Sequence, residues 1–330
     1  MHPRQTALNK LLATWGTAIA TVANQTLLAA SRSKDLTKIV RYFTERRQDI
    51  LRPSLMRLAC KAVGGNPAHT TPAAVAMILT SYHLGLIDDV IDQSHVKLFR
   101  PTLLQRVGVN QSLLVATLCL TQAHRALSHL QDHVDGATYR RVHKAFTAFP
   151  ITMIEGEERN IAVKLQGIVS PPRLLQVFTQ HATDIAACME IGALIGGASA
   201  DTVAVYSEFG QAFGLLLLVN DDNRDALNFS LNLDVKLLTK AYPYPVLWAA
   251  NHSTQFRHFL ESLQERSTLT TEEVATCVQT LETTGAVAHV KELMTQYAQE
   301  AASKLSALQK TEARNQLVEL VLAQPDLVLP

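Results

Sequence analysis

The sequence predicts an all-α protein, and three observations carry that expectation. Apolar residues recur at three- and four-residue spacing, as in Leu55, Leu58, Ala59 and Ala62 and again at Leu113, Leu114, Thr117 and Leu118, which is the period of one helix face. Alternating β-branched runs are few, and no Asn-Gly or Asp-Gly hairpin signal stands between two of them. Gly (14) and Pro (12) are sparse and gather at breaks: "GGNPAHTTP" (64–72), "FRP" (99–101), "SPP" (170–172), "GGAS" (196–199) and "YPYP" (242–245).

The helices follow in order. N-terminal helices are expected over about residues 1–50. In the first, Lys10, Thr14, Thr17 and Thr21 interrupt the apolar stretch "LLATWGTAIATVA" at spacings of four, three and four. That stretch has no acidic residue before Asp35, so a signal or transit peptide is its alternative reading. Pro72 sits near the start of a long helix running through Asp92. Pro171 and Pro172 lie just ahead of another, as helix starts prefer. No long polar linker divides the chain, so residues 1–330 read as one domain of about ten or more helices.

The composition narrows the function. With 30 Lys plus Arg against 29 Asp plus Glu, a net charge of +1 and no basic run, nothing points to a nucleic-acid partner. Cys60, Cys119, Cys188 and Cys277 are too scattered for a metal site or a disulfide framework and read as buried thiols in the cytoplasm. Among the 12 histidines, His129 and His133 stand four apart beside Asp132, but no His-Glu-x-x-His motif occurs, and zinc is not expected. The apolar run Ala212–Val219 is far short of the ~20 residues a spanning helix needs, so no stable membrane insertion is expected.

Two acidic clusters stand out. Asp88, Asp89 and Asp92 follow "ILTSYHLGLI"; Asp221, Asp222 and Asp225 follow "FGLLLLV". On a helix this spacing projects each trio from roughly one face. Crowded carboxylates repel one another and are costly to desolvate. A hard cation such as Mg²⁺, shared with the oxygens of a diphosphate, offsets that cost, and the apolar run beside each cluster suits a hydrocarbon tail. A solvated acidic helix end is the plain alternative for one cluster; its repetition with the same spacing weakens that alternative.

These residues resemble the trans-isoprenyl diphosphate synthase (polyprenyl synthetase) family of class I isoprenoid synthases. "DDVID" (88–92) matches its first motif, Asp-Asp-x-x-Asp. "FGLLLLVNDDNRD" (213–225) resembles the helix of its second, and "ILRPSLMRLACKAVGG" (50–65), "RPTLLQRVGVNQSLLVA" (100–116) and "EIGALIGGAS" (190–199) follow in family order over about residues 40–250. The resemblance implies an isoprenoid-synthase helical bundle around a deep central cavity, a homodimer, and Mg²⁺ (three per site) bridging an allylic prenyl diphosphate. Asp88, Asp92 and Asp221 would be the principal metal ligands and catalytic residues, supported by Asp89, Asp222 and Asp225.

The departures are as informative. Aligned on Arg52-Pro53, Asp49 and Ile50 stand where the family has Lys and Arg. Lys97 and Leu98 replace an arginine pair, Gln180-His181 falls near a Lys-Thr pair, and Leu217-Leu218 replaces Phe-Gln. Arg52, Lys97, Arg100 and Lys240 remain as candidate diphosphate ligands. Arg159 lies in "EGEERNIA", near the family's Gly-Gln-x-x-Asp, and reads either as a diphosphate contact or as an exposed salt-bridging arginine. Arg224 either reaches a phosphate or pairs with Asp221 or Asp225. Tyr82, His83 and Leu84 are placed where side chains limit the hydrocarbon pocket, with Leu217 and Leu218 on the other helix; a core histidine is the alternative for His83. A second diphosphate needs several cations, so the thinned set leads us to expect single-substrate, terpene-synthase-like chemistry: cyclisation, elimination or water capture. The terpene synthases' own second motif is not met, since Arg224 and Asn228 occupy its Ser and Glu positions. Chain elongation with isopentenyl diphosphate, prenyl transfer to another acceptor, and a non-catalytic partner subunit are the alternatives.

Overall fold

A computed structural model describes residues 3–45, 47–97, 100–227, 233–263 and 266–326. The helical periodicity of the sequence is realised as α1 (Pro3–Ala30), α2 (Lys34–Thr44), α3 (Leu51–Ala62), α4 (Thr71–Ile91), α5 (Leu103–Ser128), α6 (Gly136–Gln166), α7 (Pro171–His181), α8 (Thr183–Ile195) and α9 (Ala200–Ala226). The C-terminal part adds α10 (Leu233–Leu238), α11 (Tyr244–His252), α12 (Thr254–Ser262), α13 (Thr271–Thr283), α14 (Ala286–Lys304) and α15 (Glu312–Ala323). The strands among the described residues form one short hairpin, β1 (Val96–Lys97) with β2 (Arg100–Pro101).

The start signals hold. Pro72 and Pro171 occupy first-turn positions of α4 and α7, where a missing N–H costs no hydrogen bond. The Asp135 carboxylate accepts from the Ala137 and Thr138 N–H groups and caps α6. Asp92 is not inside its helix but is the C-terminal cap of α4, its N–H donating to the Asp88 carbonyl.

The centre is built by close backbone approach. A Cβ at Gly192 of α8 would overlap the Met56 carbonyl of α3, and one at Gly214 of α9 would lie 2.8 Å from the Ala182 carbonyl oxygen. The glycines in "EIGALIGG" and "FGLLLL" therefore let α3, α8 and α9 meet at backbone distance, which fixes Arg52, Asp184 and Asp221 relative to one another. Around this centre α4 packs on α5, and α14 on the far side of α9.

By length and composition, the helical segments Pro67–Ile91, Leu103–Asp132 and Ala200–Ala226 are each apolar enough to cross a membrane. The short run Ala212–Val219 understated this. Much of their apolar surface is spent on the core: Ile78, Leu86, Val115, Cys119, Phe213 and Leu216 are fully buried.

Candidate active site

The first cluster forms the last turn of α4. The β1–β2 hairpin folds back and places Lys97 Nζ 2.9 Å from Asp88 Oδ2 and 2.6 Å from Asp89 Oδ1. Arg47 stacks over the Phe43 ring at 4.5 Å and reaches within 3.9 Å of Asp89 Oδ2. From α6, Lys164 forms a close ion pair with Asp92 and lies 3.9 Å from Glu157 Oε1. His181 Nε2, at the end of α7, is 3.6 Å from the other Glu157 oxygen.

The second cluster forms the last turns of α9. Asp222 Oδ2 accepts a 2.7 Å hydrogen bond from the Tyr244 N–H. Asp225 Oδ2 is 2.8 Å from Lys236 Nζ, and Arg224 lies 3.9 Å from Asp221. The two clusters face one another across a cleft of about 100 Å³, lined by Asp92 from one, Asp222 from the other, and Lys164, Lys236 and Lys240. Ligand pockets commonly run to about 300–1,000 Å³, so this cleft is smaller than a typical substrate site.

The electrostatics follow from this crowding. Burial pushes the Asp222 carboxyl up to about 6, with neighbouring carboxylates adding to the effect. Asp221 shifts in the same direction, but its side chain is 71% open to water, and solvent screens the effect there. Burial also raises Asp89 and Glu157. Asp88 goes the other way: burial opposes its charge, but Lys97, with Lys164 and His181 adding, outweighs it and holds the carboxyl below its usual range.

The donor set suits Mg²⁺. Asp88, Asp92 and Glu157 each offer an oxygen within 4.8 Å of the others. Both oxygens of the buried Asp89 carboxylate lack an aligned hydrogen-bond donor, although Lys97 is close enough for an ion pair. Hard carboxylate oxygens with water access are what this ion takes.

The six aspartates, Lys97, Arg224 and Lys240 are therefore brought to the site. Lys240 adopts φ 58°, a left-handed conformation uncommon for a lysine, beside the cleft. Other expected residues do not line this cleft. Arg52 is engaged by Asp184 and Asp49: its Nε and Nη2 donate to Asp184 Oδ2 at 2.9 and 2.5 Å, and Nη1 to Asp49 at 2.8 Å. Arg159 lies on the exposed face of α6, opposite Glu157, and Arg100 is exposed on β2. Tyr82 is buried towards the N-terminal helices, its hydroxyl within 3.2 Å of Asn24 Oδ1 and of the Arg47 carbonyl. His83 is half-buried with Nδ1 3.0 Å from the Ala116 carbonyl, and Leu84, Leu217 and Leu218 are half-buried against the core. Leu98 and Asn228 fall outside the described residues.

Glu157, Lys164, Lys236 and Asp184 were not picked out in the sequence, and His181 only as a departure from a Lys-Thr pair. Glu157, Asn160 and Lys164 recur at three and four spacing on one α6 face, so the signal existed for that helix. Nothing local marks Asp184, which matters only through Arg52.

A sequence model of the polyprenyl synthetase family matches residues 33–281. The chain is 26% identical to a geranylgeranyl diphosphate synthase of Methanosarcina mazei over 305 residues, 89% of this chain and 90% of that one. It is 27% identical over 173 residues to a (2E,6E)-farnesyl diphosphate synthase of Mycobacterium tuberculosis, covering 52% of this chain and 47% of that one. In structure it resembles a decaprenyl diphosphate synthase from Rhodobacter capsulatus (TM-score 0.82, 20% identity, 96% of this chain and 98% of that one). It also resembles a polyprenyl synthase from Caulobacter crescentus complexed with calcium and isoprenyl diphosphate (TM-score 0.81, 19% identity, 96% and 97%). These relatives are prenyl diphosphate synthases and do not support the single-substrate, terpene-synthase-like expectation. With a match over most of its length and two facing aspartate clusters on α4 and α9, the chain belongs to the polyprenyl synthetase family, a family of isoprenoid synthases.

Proposed function

We propose that the protein is a Mg²⁺-dependent prenyl diphosphate synthase that ionises an allylic prenyl diphosphate in the cleft between α4 and α9 and joins the prenyl group to isopentenyl diphosphate. The observation that carries this is the meeting of two identically spaced carboxylate clusters across one cleft, with Asp92 and Asp222 both on its wall. When the C1–O bond of the allylic substrate breaks, the electron pair leaves with pyrophosphate, and charge grows on the phosphate oxygens. Groups fixed where that charge develops lower the barrier most. Bound Mg²⁺ supplies Lewis-acid stabilisation of the leaving group. Asp88, Asp92 and Asp221 would hold it, with Asp89, Asp222, Asp225 and Glu157 in support. Lys97, Lys236 and Lys240 present ammonium groups to the same oxygens.

A second reading is favoured by Arg52, whose donors are taken by Asp49 and Asp184. A site so neutralised suits an acceptor without a diphosphate. Incubation with Mg²⁺ and geranyl, farnesyl or geranylgeranyl diphosphate, with and without isopentenyl diphosphate, decides between them. Longer diphosphates formed only with isopentenyl diphosphate support elongation. An alcohol formed without it, with water as that acceptor, supports the second reading. Wild-type protein as inert as Asp88→Ala overturns both.

A homodimer is part of the proposal. Ile151, Ile154, Ile161 and Leu165 on α6 are 39–79% exposed at three-, four- and seven-residue spacing, and Leu113 and Leu114 are exposed on the adjoining α5. A second copy covering this stripe would remove it from water. The four cysteines are buried free thiols, which suits the reducing cytoplasm we propose for the protein.

A further inference from the structure

The cleft needs cations for a leaving diphosphate, and the family pattern supplies fewer than expected here. Gln180 falls near the lysine of the family's Lys-Thr pair, and its buried Oε1 has no hydrogen-bond partner. The neighbouring helix carries a cation instead. Lys164 of α6 is only 19% exposed, is held between Asp92 and Glu157, and lines the cleft with Lys236 and Lys240. Gly156 brings α6 hard against α7 at this point: a Cβ there would lie 2.9 Å from Gln180 Cβ and 2.8 Å from the His181 ring. The contacts His181–Glu157–Lys164–Asp92 then run from the end of α7 into the cleft.

We propose that Lys164 is a diphosphate ligand that takes over, from α6, the charge absent at Gln180. This rests on the allylic-diphosphate reading above and adds a residue to it. Glu157 fixes the ammonium at the cleft wall, and Asp92 draws it towards the phosphate side. The competing role is a mere counter-ion for Asp92. The two differ in what they bind: a ligand contributes to pyrophosphate affinity, whereas a counter-ion changes only the affinity for the metal.

The test is calorimetric titration of inorganic pyrophosphate into the full chain at saturating Mg²⁺, beside a titration of Mg²⁺ alone. Lys164→Gln is expected to weaken pyrophosphate binding about tenfold or more, the range of one charge-assisted hydrogen bond. Lys164→Arg should retain most of the affinity. Lys164→Gln combined with Gln180→Lys should recover it, because the charge returns from α7. Circular dichroism checks that each variant is folded. Unchanged pyrophosphate affinity in Lys164→Gln, or a loss that Gln180→Lys does not recover, overturns the proposal. Asp88→Ala separates the two levels. If it abolishes binding while Lys164→Gln does not, only the role of Lys164 fails. If wild-type protein binds no pyrophosphate with Mg²⁺, the diphosphate reading fails and Lys164 with it.

Discussion

Arg52 of α3 and Asp184 of α8 form a two-pronged ion pair across the centre of the bundle, with Nη2 2.5 Å and Nε 2.9 Å from the same carboxylate oxygen. Asp49 takes a third donor of the same guanidinium at 2.8 Å. Losing one partner of a buried pair costs about 3–5 kcal/mol. Arg52 is a quarter exposed and keeps Asp49, so Asp184→Ala is expected to cost less, about 2 kcal/mol, in urea unfolding. If Arg52 instead served the allylic diphosphate, Arg52→Met would weaken pyrophosphate binding by tenfold or more; we expect it to stay within about threefold.

Asp49 stands where the family pattern has a lysine. Asp49→Asn and Asp49→Lys should free Arg52 and tighten isopentenyl diphosphate binding by about tenfold, again the scale of one charge-assisted contact. Calorimetry with isopentenyl diphosphate alone reads this without turnover. Equal or weaker binding in both variants would show that the engaged Arg52 does not limit the second substrate.

The pH response of the second cluster has a definite sign. Asp222 is raised to about 6, chiefly by burial, whereas an unfolded aspartate titrates near 3.9. The fold therefore holds this proton more tightly than the unfolded chain. The stabilisation is fully present below about pH 4 and is lost as pH rises through about 6. Metal-free wild-type protein should gain melting temperature between pH 7 and 5 relative to the Asp222→Asn variant. Mg²⁺ affinity should run the other way, tightening as pH rises from about 5.5 to 7.5, because the ligands must be ionised.

Tyr82 was expected to line the hydrocarbon pocket, yet its hydroxyl meets Asn24 and the Arg47 carbonyl. Tyr82→Phe removes a buried donor, and we expect a loss of about 1 kcal/mol with product chain length unchanged. A shift in the product distribution would return Tyr82 to the pocket.

The exposed stripe on α6 makes the dimer testable. Ile154→Asp placed among Ile151, Ile161 and Leu165 should turn a dimer into a monomer in sedimentation velocity, since an unpaired charge in an apolar contact is costly. Wild-type protein that sediments as a monomer removes the proposal.

The sequence by itself determined what depends on local repetition. The three- and four-residue apolar period set the helices, prolines set the starts of α4 and α7, and the four-residue spacing brought Asp88 and Asp92 together at the end of α4. Those are consequences of 3.6 residues per turn, which neighbours in the chain suffice to fix. The tertiary structure decided which charge meets which. Lys164 reaches Asp92 across 72 residues, and Arg52 reaches Asp184 across 132. Such pairs form only where helices pack closely, as Gly192 permits between α3 and α8 and Gly156 between α6 and α7. Periodicity tells which face of a helix turns inward but not what it will face. For that reason Arg52, a diphosphate ligand in the sequence reading, is an anchor between helices in the fold, and Lys164, which the sequence did not single out, stands at the cleft.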